Sequence, residues 1–360
     1  MKKITVSVLG AGNGGQALSA HLTINGCEVN LFEHPKFKEN IEKINKKGGI
    51  ELSGKLQGFA KISLATTDIK KAIEGTSVIM IVAPSFAQKA FIEMAVPHLV
   101  DSQIIMLVPG NFGSFEVKKI LKKNRKNLTI AETNSLPYAC RKIEEGKVNI
   151  WGVKTHISIA SLPATDIKNV VKMLSDFFPI PLTPIKNSLA ISFSNPNMIV
   201  HCPTMILNAG RIESTNGDFM FYCEGMTKSV CRIMEMMDKE RLVIGEKLNL
   251  DLISTYDWLK ETYRLKGDDL HELLSTNPVY GQHGADAPKV LNHRYLTEDV
   301  PHLLVPVASF GRLLGLQTSI IDTIITLASA INGIDHFKKG RNLDVLGLQG
   351  MSIEEIFAYI

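Results

Sequence analysis

The chain of 360 residues is 45% hydrophobic and 21% charged with a formal net charge of +4, which supplies apolar material for two packed cores and excludes long disorder. Its basic run at 118–126 has no interleaved aromatics, so it reads as a solvated helix face and nucleic acid is not an expected partner. Five cysteines (Cys27, Cys140, Cys202, Cys223, Cys231) form no C-x-x-C pair, which points to reduced thiols in the cytoplasm over a disulfide framework or zinc site.

The first apolar run, residues 4–9, is β-branched and reads as a buried strand. After Lys2-Lys3 it is shorter than the ~7–15 apolar residues of an export signal, and no stretch approaches the ~18 of a membrane span. A cytoplasmic protein with no membrane partner is expected. Gly10-Ala11-Gly12-Asn13-Gly14-Gly15 follows, then a helix over 16–22 that stops near Gly26. Gly10 suits a tight turn, Gly12 lets the backbone approach a pyrophosphate, and Gly15 permits close helix–strand packing. Asn13 and Gly14 open the helix, whose N–H groups face the anion. A second strand over 28–32 ends in Glu33, 23 positions after Gly10, close to the ~20 expected of a ribose-binding carboxylate. These elements in register predict dinucleotide binding. NAD is preferred because Glu33 repels a 2′-phosphate, with NADP kept as the alternative because His34 and Lys36 follow it.

Further strands are predicted over 61–65, 77–83, 103–108 and 128–131, with helices over 86–99 and 115–123. Their continuous apolar character suits a doubly wound parallel sheet with ligand at the carboxyl ends of its strands. Two strand-to-loop junctions, at 82–85 and 108–113, lie at that edge. Pro84 and Ser85 are the cofactor-loop candidates there, beside the alternative of ordinary turn chemistry. After β-like segments at 148–153 and 156–161, helical periodicity dominates: 195–212, 225–249, 255–265, 318–331 and 353–359. The fold class is therefore an α/β Rossmann domain over 1–186 joined to an all-α domain over 187–360. The sequence leaves the oligomeric state open, with a homodimer as the arrangement considered.

Two constellations in the second half carry chemistry. His201 shares a helix face with Asn197, Met205 and Asn208, a polar stripe on an apolar helix that Pro203 interrupts. A satisfied core histidine and a proton-transfer group are both compatible with that pattern. Arg294 and Asp299 lie in His293-Arg294-Tyr295-Leu296-Thr297-Glu298-Asp299-Val300-Pro301. Arginine presents a fork for a carboxylate and an aspartate raises the basicity of a nearby histidine; a surface arginine with an acidic helix cap is the alternative. The histidines His271, His283, His293 and His302 lack metal-ligand spacing, and no metal is expected.

The chain resembles the opine dehydrogenase family in the 10–17 glycine loop, Leu107-Val108-Pro109-Gly110-Asn111-Phe112-Gly113, and Glu132-Thr133-Asn134-Ser135-Leu136-Pro137-Tyr138-Ala139-Cys140-Arg141. The Asn197-x-x-x-His201 helix, Phe221-Tyr222-Cys223-Glu224-Gly225, the 294–301 segment and the 340–348 tail extend the match across nearly the whole chain. The resemblance implies a Rossmann domain joined to a helical one, and reductive condensation of a 2-oxo acid, often pyruvate, with an amino acid. It would make His201 the acid/base, Asp299 its partner, Arg294 the oxo-acid carboxylate binder and Cys140 a neighbour of the amino acid. Asn197, Met198, Met205, Tyr222 and the Asn277-Pro278-Val279-Tyr280 loop are expected near that substrate. The competing readings are a single-substrate NAD-dependent hydroxy-acid or polyol-phosphate dehydrogenase, and a non-catalytic dinucleotide sensor.

Overall fold

A computed structural model describes residues 4–278 and 286–360; the Lys2-Lys3, Val279, Tyr280 and His283 expectations lie outside them. Contacts within the chain divide it into two compact units, 1–191 with 354–360, and 192–353.

The first unit is built on an eight-stranded sheet. Its strands are β1 (Thr5–Leu9), β2 (Glu28–Phe32), β5 (Leu64–Thr66), β6 (Val78–Ile81), β7 (Ile104–Leu107), β8 (Ile130–Thr133), β11 (Ile157–Leu162) and β12 (Leu182–Pro184). They run in the order β12-β11-β8-β7-β6-β1-β2-β5. The six from β8 to β5 are mutually parallel, whereas β11 runs antiparallel to β8. Val6, Val8, Val29, Leu31, Val78, Met80, Ile105 and Leu107 are fully buried, which explains the unbroken apolar runs: both faces are covered, so no alternation is needed. Strand order reverses between β1 and β6. The carboxyl ends of those two strands therefore form the crevice where such sheets take ligand.

Of a second sheet the sequence reading found only the 148–153 strand. β3 (Ile50–Gly54), β4 (Gly58–Ala60), β9 (Tyr138–Glu144) and β10 (Lys147–Val153) pair in the order β4-β3-β10-β9. β9 and β10 lie against the helix Asn13–Ile24, where the Tyr138 hydroxyl and His21 Nδ1 are 2.9 Å apart.

The second unit is helical, with principal helices Asn197–Leu207, Lys228–Lys247, Thr255–Tyr263, Val305–Leu313 and Ser319–Asn332. The expected helix over 195–212 is two helices that break at Asn208. Buried Arg241 pins the unit. It donates to Asp238 at 2.8 Å and to the carbonyls of Phe193 and Ile253, while Asp238 accepts the Thr255 N–H. The ion pair is well satisfied by hydrogen bonds, as burial of two charges demands.

The final helix, Ile353–Tyr359, departs from the expected 187–360 domain. Residues 354–360 cluster with the first unit, where the Ile360 carbonyl accepts the Ala164 N–H and Ile356 is fully buried. Its apolar spacing identified a helix but carried no information about which core it enters.

Candidate active site

The glycine loop is sterically determined. Gly10 has φ +109°, a region that disfavours side chains. A Cβ on Gly15 would stand 1.7 Å from the Gly10 carbonyl oxygen, so only glycine allows the helix to approach the strand so closely. A Cβ on Gly12 would meet nothing within 4 Å, so this backbone is open on the side a ligand needs. Asn13 starts the helix, and its side-chain oxygen accepts the Lys142 N–H at 3.0 Å from β9. Glu33 is 7% exposed at the end of β2. Its carboxylate accepts the Ala11 N–H at 3.0 Å and the His34 N–H at 2.7 Å, which ties the acid to the loop it serves. Pro84 caps the helix Ser85–Ala95 at the end of β6. Asn111 donates to the Ser85 hydroxyl at 2.9 Å, and Gln88 donates to the Pro109 carbonyl at 2.7 Å, joining the two junctions that follow β6 and β7. Open glycine backbone, a helix N-terminus and an acid at the next strand end fit a dinucleotide: phosphates on the first two, ribose on the third. Lys36 is exposed, with its backbone N–H donating to His34 Nδ1.

Cys140 belongs to this first unit, on β9, with its thiol 3.6 Å from the Asn13 carbonyl. Burial pushes that thiol up to about 11, so it is a protonated, weakly nucleophilic group near neutral pH.

The second unit assembles the histidine site. His201 lies mid-helix at 9% exposure. Its Nδ1 is 2.8 Å from Asp299 and its Nε2 is 3.1 Å from the Tyr222 hydroxyl. The imidazole stacks on Tyr295 with ring centroids 3.8 Å apart and planes 20° apart. The Tyr222 and Tyr295 hydroxyls are 3.3 Å apart, and Phe221 packs against all three rings. His201 and Asp299, 98 positions apart along the chain, meet because the short helix Arg294–Thr297 packs on Asn197–Leu207, with the Cys202 thiol reaching the Tyr295 carbonyl at 3.5 Å. A π-helical turn, Val300–Leu304, follows Asp299 directly.

Burial raises the Asp299 carboxyl above its ordinary value, and the hydrogen bond from His201 works in the opposite direction. Arg294 does not pair with Asp299. Its Nε and a terminal nitrogen both reach Glu298, at 3.0 and 2.8 Å. The arginine side chain is 59% exposed while Glu298 is 1% exposed. Burial opposes the guanidinium charge, but the carboxylates of Glu298 and Asp299 outweigh it and hold the group above its usual value. One flank of the fork is thus fixed and the remainder faces outward.

The other residues of the His201 face are placed as follows. The Asn208 amide donates to the Thr204 and Gly225 carbonyls at 2.9 Å. Met205, like Met198, is fully buried. Asn197 is exposed, with its N–H held by the Asn195 side chain. Glu298 and Tyr295 were missed. The i,i+4 spacing to Arg294 was a legible signal for the first, and nothing local signalled the stacking of the second.

A dinucleotide crevice on a doubly wound sheet, together with a helical unit holding a buried His–Asp pair beside a half-committed arginine, defines a nicotinamide-dependent oxidoreductase. The family profile for the NAD/NADP octopine/nopaline dehydrogenase alpha-helical domain matches residues 184–332, and that for the NAD-dependent glycerol-3-phosphate dehydrogenase N-terminus matches 5–112. An opine dehydrogenase of Arthrobacter sp. (strain 1C) is 34% identical over 351 residues, covering 97% of this chain and 96% of that one. A vitopine synthase of Allorhizobium ampelinum is 28% identical, covering 96% of each. A solved octopine dehydrogenase in complex with NADH and agmatine superposes with a TM-score of 0.81 at 22% identity, covering 99% of this chain and 98% of that one. The chain belongs to the opine dehydrogenase family: it is an NAD(P)-dependent oxidoreductase that reductively condenses an amino acid with a 2-oxo acid.

Proposed function

We propose that the protein joins the amino group of an L-amino acid to pyruvate through an imine, giving an N-(1-carboxyethyl)amino acid, with NADH preferred over NADPH in a cytoplasmic setting. The observation that carries this reading is the 2.8 Å His201–Asp299 contact five residues from an arginine whose outer face is open. Solved octopine dehydrogenase complexes hold NADH with L-arginine and NADH with pyruvate, which supports the pairing of substrates. All five cysteines are free, in keeping with a reducing compartment.

Arg294 takes the oxo-acid carboxylate on the flank that Glu298 leaves available, a geometry matched to two-pronged binding. The neutral amine then attacks the carbonyl to form a carbinolamine. His201, fixed at Nδ1 by Asp299, handles protons only at Nε2 during addition and loss of water. Asp299 steadies the cationic ring. When bound, the reduced nicotinamide supplies hydride to the imine carbon. Glu33 accepts the ribose hydroxyls and repels a 2′-phosphate. Cys140 is assigned to the neighbourhood of the amino acid as a neutral thiol.

The test is a grid of L-amino acids against pyruvate, 2-oxobutyrate and oxaloacetate, followed by reduced-cofactor absorbance. Oxidation of NADH should require both substrates and should be fastest with pyruvate. Steady oxidation with an oxo acid alone would return the protein to the single-substrate class.

A further inference from the structure

We infer that Tyr222 is the proton relay between His201 and the reacting oxygen, so that the acid presented to substrate is a phenol. This rests on His201 being the acid/base of the reaction. Three contacts lead to it. Asp299 occupies Nδ1 at 2.8 Å, which leaves Nε2 as the only ring nitrogen for chemistry. Nε2 lies 3.1 Å from the Tyr222 hydroxyl, within hydrogen-bond reach. The same hydroxyl is 3.3 Å from that of Tyr295, which stacks on the imidazole and fixes its plane. The Tyr222 oxygen is thus set between an imidazole and a second phenol, on a ring that is half-buried. His201 itself is 9% exposed and enclosed by aromatic rings.

The step balances. In the carbinolamine, the Tyr222 hydroxyl proton passes to the departing oxygen as the Nε2 proton of cationic His201 passes to the Tyr222 oxygen. The C–O bond breaks, water leaves, and the nitrogen lone pair forms the C=N bond of an iminium. The phenol ends as it began, the imidazole ends neutral, and the positive charge moves to the substrate. No phenolate accumulates, which suits a hydrophobic, ring-lined site where a buried anion is costly. Tyr295 positions the Tyr222 hydroxyl.

The experiment uses the whole protein with NADH, pyruvate and the best amino acid from the grid. Tyr222→Phe removes one hydroxyl and should lower kcat by about 10–100-fold, the lower part of the range for acid–base assistance. Both substrate KM values, NADH affinity and the melting temperature should stay close to the parent. In mixtures of light and heavy water, the parent rate should fall along a curve, as two protons move together; the Tyr222→Phe rate should follow a straight line. Tyr295→Phe should give a smaller kcat loss and keep the curve. A Tyr222→Phe enzyme with kcat within about two-fold of the parent, or faster, would show the phenol to be a placeholder on Nε2 that substrate displaces. Retained curvature in that variant would overturn the relay as well. His201→Asn separates the two readings: if it stays active, the acid/base assignment itself fails; if it is inactive while Tyr222→Phe is unaffected, only the relay fails.

Discussion

Asp299 sets a cost to the fold against the role in steadying His201 that we propose for it. Its carboxyl is raised by burial, so ionisation is harder in the native state than in the unfolded chain, where the value is ~3.9. A raised carboxyl contributes stability that is present below ~3.9 and lost as pH rises through the native value, so near neutrality the ionised group opposes folding. Asp299→Asn should therefore leave the melting temperature at pH 7.5 equal to the parent or higher. The same change should cut kcat/KM by ~10²–10⁴, because the neutral amide no longer stabilises a cationic His201. A variant that melts several degrees lower yet works normally would mean that Asp299 is a structural strut. Arg294 teaches the complementary lesson. Its partner is Glu298, one helical turn away, and the fork is anchored on one flank.

Among the elements, the strand–turn–helix at 5–24 shows where sequence reasoning succeeds. Gly10 and Gly15 are imposed by hard-sphere contacts that no other residue satisfies, so their spacing carries the geometry directly. Gly12 is different: its φ is −75° and no atom lies within 4 Å of an added Cβ. Gly12→Ala should fold with an unchanged melting temperature but bind NADH at least ten-fold more weakly in a fluorescence titration, since the methyl group stands where pyrophosphate would approach. Gly15→Ala should lose about 1–3 kcal/mol of stability as well, as backbone must shift to admit the methyl. Native NADH affinity in Gly12→Ala would remove this loop from the cofactor. The second sheet, β10 apart, was illegible for the opposite reason. Strands such as Gly58–Ala60 are three residues long and hold no period, and the sheet is completed only where β3, their hairpin partner, pairs with distant β10. Likewise, His201 and Asp299 could each be singled out locally, but their 2.8 Å contact could not. It depends on the Arg294–Thr297 helix packing on a helix almost a hundred residues earlier.

At the level of the whole molecule, buried histidines set the acid limit. Burial and the nearby positive charge of Arg341 push His302 down to about 3, and burial with Arg294 and His201 lowers His293 to about 4. His336 and His21 are lowered by burial too. In the unfolded chain each titrates near 6.5. Below that pH the unfolded state takes up protons that the native state refuses, so stability falls with pH between ~6.5 and the native values of about 4 and 3. The limiting loss is ~1.4 kcal/mol per pH unit for each fully responding group. Raised Asp299 works against this trend only in the carboxylate range. Calorimetry should show a melting temperature that is flat from pH 7 to 8 and falls steadily from 6.5 to 5, with a shallower slope in His302→Gln. A flat profile down to pH 5 would contradict the assignment of neutral buried imidazoles. The return of residues 354–360 to the first unit has a temporal meaning during synthesis. The helical unit is an insertion within another unit's chain, so its 162 residues, 192–353, must be translated before the nucleotide-binding unit receives its closing piece. Nascent protein halted before that point carries an open seat for Ile356 and an unpaired Ala164 N–H. Chaperone engagement at that stage follows from one chain crossing back.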